Sequence, residues 1–308
     1  MSRVAIIGAG AMGSVYAALM ADAGHEVYAV TLWADHVAAM QEKGLRLSGY
    51  SGDRTVRLHA STSTDGMGVC DLVIIASKGG DVEAAARAAL TLCGEHTVVQ
   101  TIQNGLGSAD RVAPIVGADR LAVGVVGGFG ASLVEPGHVH HNGMAIVRFG
   151  AYAGLQEDRL DSSAEVWRSS GFTVSLFADL NRMIWEKLLV NVAFSATCAL
   201  SGRTIGEVID DPDLWSVAGG CAAEAAAVAA ARGIDLQVGD PVEHVRKIGS
   251  GIRDARPSLL LDHLAGRRSE IDVINGSIPR EAAKVGAQAP INATVTALVL
   301  AAEKSFQR

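Results

Sequence analysis

Gly8-Ala9-Gly10-Ala11-Met12-Gly13 lies between two segments of different character. Arg3 to Ile7 is a short apolar run rich in β-branched residues and reads as a buried strand. From about Ser14 to Ala23 the patterning is helical, Gly24 ends the helix, and His25 to Val30 reads as the next strand. Three glycines at this spacing are common by themselves. Placed after a strand, opening a helix and inside a βαβ unit, they constrain the fold strongly. Gly8 permits the tight turn, Gly10 lets the backbone approach a pyrophosphate, and Gly13 lets helix and strand pack closely. The helix N-terminus then offers free N–H groups to phosphates. A purely structural glycine turn is the plainer alternative, and the context favours dinucleotide binding. Gly8, Ala9, Gly10, Ala11, Met12 and Gly13 are therefore candidate cofactor contacts.

The alternation continues. Asp71 to Ala76 reads as a strand, Val82 to Leu92 as a helix, His96 to Ile102 as a strand, and Leu121 to Phe129 and Ala145 to Gly150 as further strands. This pattern implies an α/β fold with a doubly wound, mostly parallel Rossmann-type sheet. After about Phe177 only helix patterns remain: Leu180–Leu200, Leu214–Arg232, Val242–Ala255, Leu259–Leu264, Glu270–Val285 and Ile291–Lys304. The expected organisation is a dinucleotide-binding domain over 1–178 and an all-α substrate and catalytic domain over 179–308. A chain of 308 residues suffices for two such domains.

With 49% hydrophobic and 19% charged residues, the chain reads as globular rather than disordered. Its net charge is −7, and no basic run exceeds short pairs such as Arg267-Arg268, which argues against nucleic acid as a partner. An anionic small molecule needs only a locally positive pocket and stays open. Cys70, Cys93, Cys198 and Cys221 are scattered without C-x-x-C spacing, as expected of thiols in a reducing compartment. The immediate strand and glycine loop leave no room for a signal peptide, and charges such as Glu224 and Arg232 interrupt the apolar tracts. A cytoplasmic protein with no membrane span is expected. The Ala-rich stretch Cys221–Ala231 suits tight helix packing and offers a face for a homodimer.

The second source of chemistry is Met183-Ile184-Trp185-Glu186-Lys187-Leu188-Leu189-Val190-Asn191-Val192-Ala193-Phe194-Ser195-Ala196. Lys187, Asn191 and Ser195 are each four apart, which places them on one drifting stripe of a helix. Apolar residues cover most of the remaining circumference. A buried ammonium is costly unless something polar meets it, so the stripe points to a substrate, a cofactor or an acidic side chain. A solvated stripe on an amphipathic helix is the plainer reading. Asn104, in Gln103-Asn104-Gly105-Leu106-Gly107, follows the fourth strand where ligands bind in doubly wound sheets, although a turn residue before glycine fits equally. Ser258 and Asp262 are available for capping or contact. Glu270 and Asp272 stand near an expected helix N-terminus, where complementing the dipole would explain them. Around the ribose 2′ position, Val30-Thr31-Leu32-Trp33 carries neither the acid that suits NAD nor the arginine that suits NADP; Asp35 comes late, and Lys78 could supply a positive charge. His138, His140 and His141 lack a carboxylate or cysteine at ligand spacing, so no metal is expected.

Together these pieces resemble the ketopantoate reductase (2-dehydropantoate 2-reductase) family over nearly the whole chain. The specific parts are Trp185-Glu186-Lys187-Leu188 with Asn191, Pro257-Ser258 with Asp262, Glu270-Ile271-Asp272 with Asn275-Gly276, and the loop Pro136-Gly137-His138-Val139. The resemblance implies that Lys187 is the catalytic lysine and Glu270 the catalytic glutamate. It implies that Asn104, Asn191 and Ser258 contact substrate or cofactor, and that Lys78 helps hold NADP. Asn104 and Glu270 would also meet the cofactor. Two positions depart from the pattern. Leu32 stands where many members have an arginine for the 2′-phosphate, which leaves NAD open. Ser195 stands where a second asparagine is frequent, which leaves the exact 2-oxo acid open, with Ser195 still a candidate substrate contact.

The implied reaction is NAD(P)H-dependent reduction of a 2-oxo acid, with ketopantoate going to pantoate on the route to pantothenate and coenzyme A. Lys187 would donate a proton to the carbonyl oxygen as hydride arrives. A reductase of another 2-oxo acid is one alternative. A non-catalytic dinucleotide sensor is another, disfavoured by the presence of both Lys187 and Glu270.

Overall fold

The computed structural model describes residues 1–128, 130–143 and 146–306. It divides into two compact units, Met1–Gln103 with Gly107–Leu180, and Asn104–Leu106 with Asn181–Arg308.

The first unit opens with β1 (Arg3–Ile7), α1 (Ala11–Asp22) and β2 (Glu26–Val30). The two strands pair in parallel, from Arg3 opposite Glu26 to Ile7 opposite Val30. Along the chain follow α2 (Ala34–Lys43), β3 (Leu45–Gly49), β4 (Arg54–Val56), β5 (His59–Ser61), β6 (Leu72–Ile75), α3 (Val82–Ala89) and β7 (Val98–Thr101). The rest of the unit is α4 (Ser108–Val116), β8 (Leu121–Gly127), β9 (Gly130–Glu135), β10 (His138–Gly143), β11 (Ile146–Ala151), α5 (Glu157–Ser169) and β12 (Val174–Leu176). Eight strands form one sheet in the order β12-β11-β8-β7-β6-β1-β2-β5. The run from β5 to β8 is parallel throughout, and β11 turns antiparallel to β8. The winding reverses beside β1, since β2 lies on one side and β6 on the other. That is the switch point where open α/β sheets bind ligands beyond their strand ends. The expected strands ending at Phe129 and beginning at Ala145 are β8 and β11; Phe129 and Ala145 themselves lie outside the described residues.

A second sheet, in the order β4-β3-β10-β9, was not expected. Its physical reason lies in α1. Residues Gly13 to Met20 are all buried, so this helix has no solvated face. A helix apolar all round needs cover on every side. The second sheet supplies it: α1 packs on β3, β4, β9 and β10 as well as on β1 and β2.

The second unit is helical: α6 (Leu180–Ser201), α7 (Ile205–Asp210), α8 (Pro212–Ala231), α9 (Pro241–Ser250), α10 (Ser258–Leu264), α11 (Ser277–Ala283) and α12 (Pro290–Glu303). Aspartate followed by proline starts two of them. Asp211 accepts hydrogen bonds from the amides of Asp213 and Leu214, and Asp240 from those of Val242 and Glu243, with proline at the first helical position each time. Both helices therefore begin slightly earlier than the apolar pattern implied. Thr204 and Glu207 form a capping box for α7, a short helix the periodicity missed. Helix α9 stops at Ser250 rather than Ala255. The chain then folds back over α7, where the amides of Ile205 and Gly206 donate to the carbonyls of Ala255 and Arg253. The helix expected over Glu270–Val285 is split into a 3-10 turn at Ile271–Val273 and α11.

Helices α6 and α8 are long and apolar enough to cross a membrane by length and composition. Both instead have internal partners. Half of the residues of α6 are buried, and its apolar ones from Trp185 to Cys198 belong to the core of the unit. Glu224, on α8, accepts hydrogen bonds from the amides of Ile291 and Asn292 at the start of α12, at 2.8 and 2.9 Å.

Candidate functional site

The glycine loop sits between β1 and α1, and each glycine has a separate reason. Gly8 has φ +102°, and a Cβ there would strike the backbone of Ser77 after β6. A Cβ on Gly13 would strike the carbonyl of Gly8, so helix and loop touch at that point. A Cβ on Gly10 would meet nothing within 4 Å. The middle glycine therefore faces open space, as a close-approach position for a ligand requires. Gly10 is also the N-cap of α1 and brings no side-chain cap to the first-turn amides of Ala11, Met12 and Gly13. The first turn holds no acidic residue, so the positive end of the helix is not offset locally. The amides of Gly8 and Ala9 both donate to the Val30 carbonyl at 2.9 Å, which ties the loop to the end of β2.

Beyond β2, Leu32 is 90% exposed and Trp33 is partly exposed. Asp35 lies in the first turn of α2 and is exposed. Lys78 is exposed at the start of the 3-10 turn after β6. Gln103, two residues beyond β7, donates to the carbonyls of Ile75 and Ser77 at 2.6 and 3.1 Å. This cross-link was not anticipated, although a glutamine directly after a buried strand is a visible signal for one.

In the second unit, α6 carries the expected stripe. Lys187 and Asn191 are half-buried, Ser195 is only 3% exposed, and Trp185, Leu188, Leu189 and Val192 between them are core. Lys187 Nζ donates to Asn104 Oδ1 at 2.9 Å. The structure thus joins two residues 83 positions apart. The loop that carries Asn104 is itself fixed: the amide of Leu106 donates to the Val273 carbonyl at 2.9 Å. Gly105 has φ +79°, and a Cβ there would overlap the same carbonyl. Val273 closes the 3-10 turn that Glu270 opens, and its amide donates back to the Glu270 carbonyl at 3.1 Å. Glu270 is half-buried at the head of that turn.

The other expected positions are placed as follows. Ser258 is the exposed first residue of α10 and makes no side-chain cap there. Asp262 is buried and accepts a hydrogen bond from Arg267 Nε at 3.1 Å, which gives it a structural partner. The main-chain carbonyl of Asp272 accepts a hydrogen bond from Arg280. Asn275 Nδ2 donates to the carbonyl of Val192, next to Asn191, and to Asn292. His138 and His140 both contact Ser48 Oγ, and His141 contacts Ser51 Oγ. Among the described residues no group of three or more His, Cys, Asp or Glu could hold a metal ion. Sequence reasoning also missed Glu303, which is 4% exposed and accepts from the amide and hydroxyl of Ser269, beside Glu270. A carboxylate at the C-terminal end of a mostly apolar helix was its signal.

The first unit thus carries a phosphate-type glycine loop, and the second an ammonium held by an amide. Comparison with known proteins agrees over the full length. The family model described as Ketopantoate reductase PanE/ApbA matches residues 4–154, and that of its C-terminal part matches residues 179–303. The chain is 31% identical over 306 residues to a 2-dehydropantoate 2-reductase of Archaeoglobus fulgidus, covering 99% of each chain. It is 30% identical over 303 residues to one of Halobacterium salinarum, covering 98% of this chain and 99% of the relative. A crystal structure of a PanE/ApbA family ketopantoate reductase from Ralstonia eutropha superposes with a TM-score of 0.90 at 30% identity, covering 99% and 100% of the two chains. D-mandelate dehydrogenase with NADH and anilino(oxo)acetate gives a TM-score of 0.92 at 27% identity, covering 99% of each. The Lys187–Asn104 pair and the glycine loop thus lie in a chain matched end to end, and the protein belongs to the ketopantoate reductase family.

Proposed function

We propose that this protein reduces 2-dehydropantoate to pantoate with a reduced nicotinamide dinucleotide. The observation that carries the chemistry is the Lys187–Asn104 hydrogen bond. An ammonium has three N–H donors and no acceptor. Asn104 takes one of them and so fixes the direction of the others. Lys187 then donates a hydrogen bond to the substrate's C2 oxygen and delivers a proton to it as negative charge grows there. A bound nicotinamide supplies the hydride to C2. Asn191, one turn along α6, holds polar groups of the substrate together with Ser195 and Ser258. Glu270 orients the hydroxyl end of the substrate and balances the charge of Lys187.

The residues of the glycine loop fit a dinucleotide: Gly10 is open, Gly8 and Gly13 are close-packed, and the first-turn amides of α1 would meet the pyrophosphate. NADP is the leading cofactor, with Lys78 meeting its 2′-phosphate. NAD is the second reading, and the exposed apolar Leu32 at the end of β2 favours it. On the substrate side, the likeness to a D-mandelate dehydrogenase favours a bulkier 2-oxo acid as the second reading.

The test is a set of initial rates with 2-dehydropantoate and other 2-oxo acids, each with NADPH and NADH, for the wild type and Lys187→Ala. The expected result is highest kcat/KM on 2-dehydropantoate and a fall of roughly 10²–10⁴-fold in kcat for the variant. Unchanged turnover in Lys187→Ala would remove the lysine from the mechanism. Turnover of none of the acids with either cofactor would remove the reductase reading.

A further inference from the structure

The loop Pro136-Gly137 between β9 and β10 has no part in the chemistry above, yet it reaches the cofactor loop through one buried side chain. His36, on the first turn of α2, is fully buried. The amide of Gly137 donates to its Nδ1 at 2.8 Å. An amide can only donate, so Nδ1 must be the bare nitrogen and Nε2 must carry the ring proton. Nε2 lies 3.1 Å from Ser14 Oγ and donates to it. The Ser14 hydroxyl is thereby left to donate onward, and it does so to the Ala9 carbonyl at 3.3 Å. The direction of every bond follows from the first one. Burial lowers the pKa of His36, which keeps the ring in the neutral form this chain needs. The Trp33 indole stacks on the imidazole at 5.1 Å and 14°.

Both ends of the relay are fixed. The Gly137 carbonyl accepts from the Arg46 amide at 2.8 Å, and a Cβ on Gly137, at φ +77°, would press on Ala39 of α2. At the other end, the Ala9 amide is already tied to the Val30 carbonyl. The Ser14 bond restrains the carbonyl of the same residue, inside Gly8-Ala9-Gly10. A glycine-flanked peptide is intrinsically free to rotate, and holding it in its bound orientation lowers the entropy lost on binding.

We propose that His36, acting through Ser14, is a positioning residue that presets the Ala9 peptide of the cofactor loop. The relay also couples the second sheet to that loop, since its anchor is the turn between β9 and β10. This rests on the proposed dinucleotide binding by the glycine loop.

The experiment titrates NADPH and NADH into the wild type, Ser14→Ala, His36→Phe and the double variant, following nicotinamide fluorescence. Steady-state KM and kcat and the thermal midpoint are measured on the same samples. The expected result is a loss of about 3- to 10-fold in cofactor affinity for each single variant. The double variant should be no weaker than the weaker single one, because both break one chain. The cofactor KM should rise with kcat and the 2-oxo acid KM within about twofold. Ser14→Ala removes one oxygen and keeps the test open if His36→Phe folds poorly. If the wild type binds cofactor and Ser14→Ala binds it equally well, the relay has no positioning role, even if the thermal midpoint falls. If the wild type binds neither cofactor, the glycine-loop reading fails and the relay with it.

Discussion

Single residues carry the site, and their legibility depends on how local their reasons are. Gly8, Gly10 and Gly13 could be assigned separate roles from spacing alone, because strand, turn and helix adjoin in sequence. Gly105 could not: its need for a bare Cα comes from the Val273 carbonyl, 168 positions away. Gly105→Ala must move either that carbonyl or the loop, and adds the strain of φ +79° on a residue with a Cβ. A cost of about 1–3 kcal/mol is expected from the backbone conformation. Because Asn104 is the neighbouring residue, the same change should lower kcat by more than it raises the cofactor KM. A stability loss with unchanged kcat would show that Asn104 is held by Lys187 alone. Leu32 is the converse case, where the side chain is visible in the sequence and its exposure follows. Leu32→Arg places a guanidinium at the end of β2 and should improve kcat/KM for NADPH relative to NADH by about tenfold, the worth of one exposed-to-partly-buried phosphate contact. No change in the ratio would place the 2′ position elsewhere.

At the scale of elements, α6 was legible in both extent and stripe, since a 22-residue helix with three polar positions at i, i+4 and i+8 leaves little freedom. What holds it was not legible. Asn275 donates to the Val192 carbonyl and to Asn292, and Asn292 donates to the Cys221 carbonyl and to Glu224, all at 2.8–3.0 Å. These residues come from four segments, and each looks like an ordinary asparagine or glutamate in its own. Both asparagines are fully buried, so their bonds cannot be exchanged for water. Asn292→Leu keeps the volume and removes both sets of contacts. Chemical denaturation should show a loss of about 1–3 kcal/mol, from buried groups left without partners. A neutral result would mean that Asn275 and Glu224 find other partners by small shifts. The break at Ile274–Gly276, which splits the expected Glu270–Val285 helix, belongs to the same network: a Cβ on Gly276 would come within 3.0 Å of Asp272, and Asn275 turns inward instead of continuing the helix.

At the scale of the whole molecule, each unit has its own core, and the sequence revealed the two classes of core more clearly than their layers. The second sheet escaped notice because its two antiparallel pairs, β3 with β4 and β9 with β10, are far apart in sequence; Leu45-Arg46-Leu47 alternates, but three residues do not define a strand. The run Val15 to Met20 in α1, apolar on every side of the helix, was the real signal for it. That layering has a consequence in acid. Burial lowers the pKa values of His25, His36 and His141 in the first unit and of His244 in the second. A histidine with a folded-state pKa below its unfolded value of about 6.5 is neutral in both states at higher pH. The unfolded chain takes up the proton first as pH falls, so stability is intact above about 6.5 and declines below it. Three of the four lie in the first unit, and His36 and His141 sit in or against the second sheet. Hydrogen exchange measured at pH 7 and pH 5, corrected for intrinsic rates, should therefore show greater loss of protection in α1, β3 and β10 than in α8 and α12. Equal loss in both sets would mean that the buried histidines do not set the acid limit, and that ion pairs found within each unit, such as Arg3 with Glu26 in the first and Arg203 with Glu207 in the second, govern it instead.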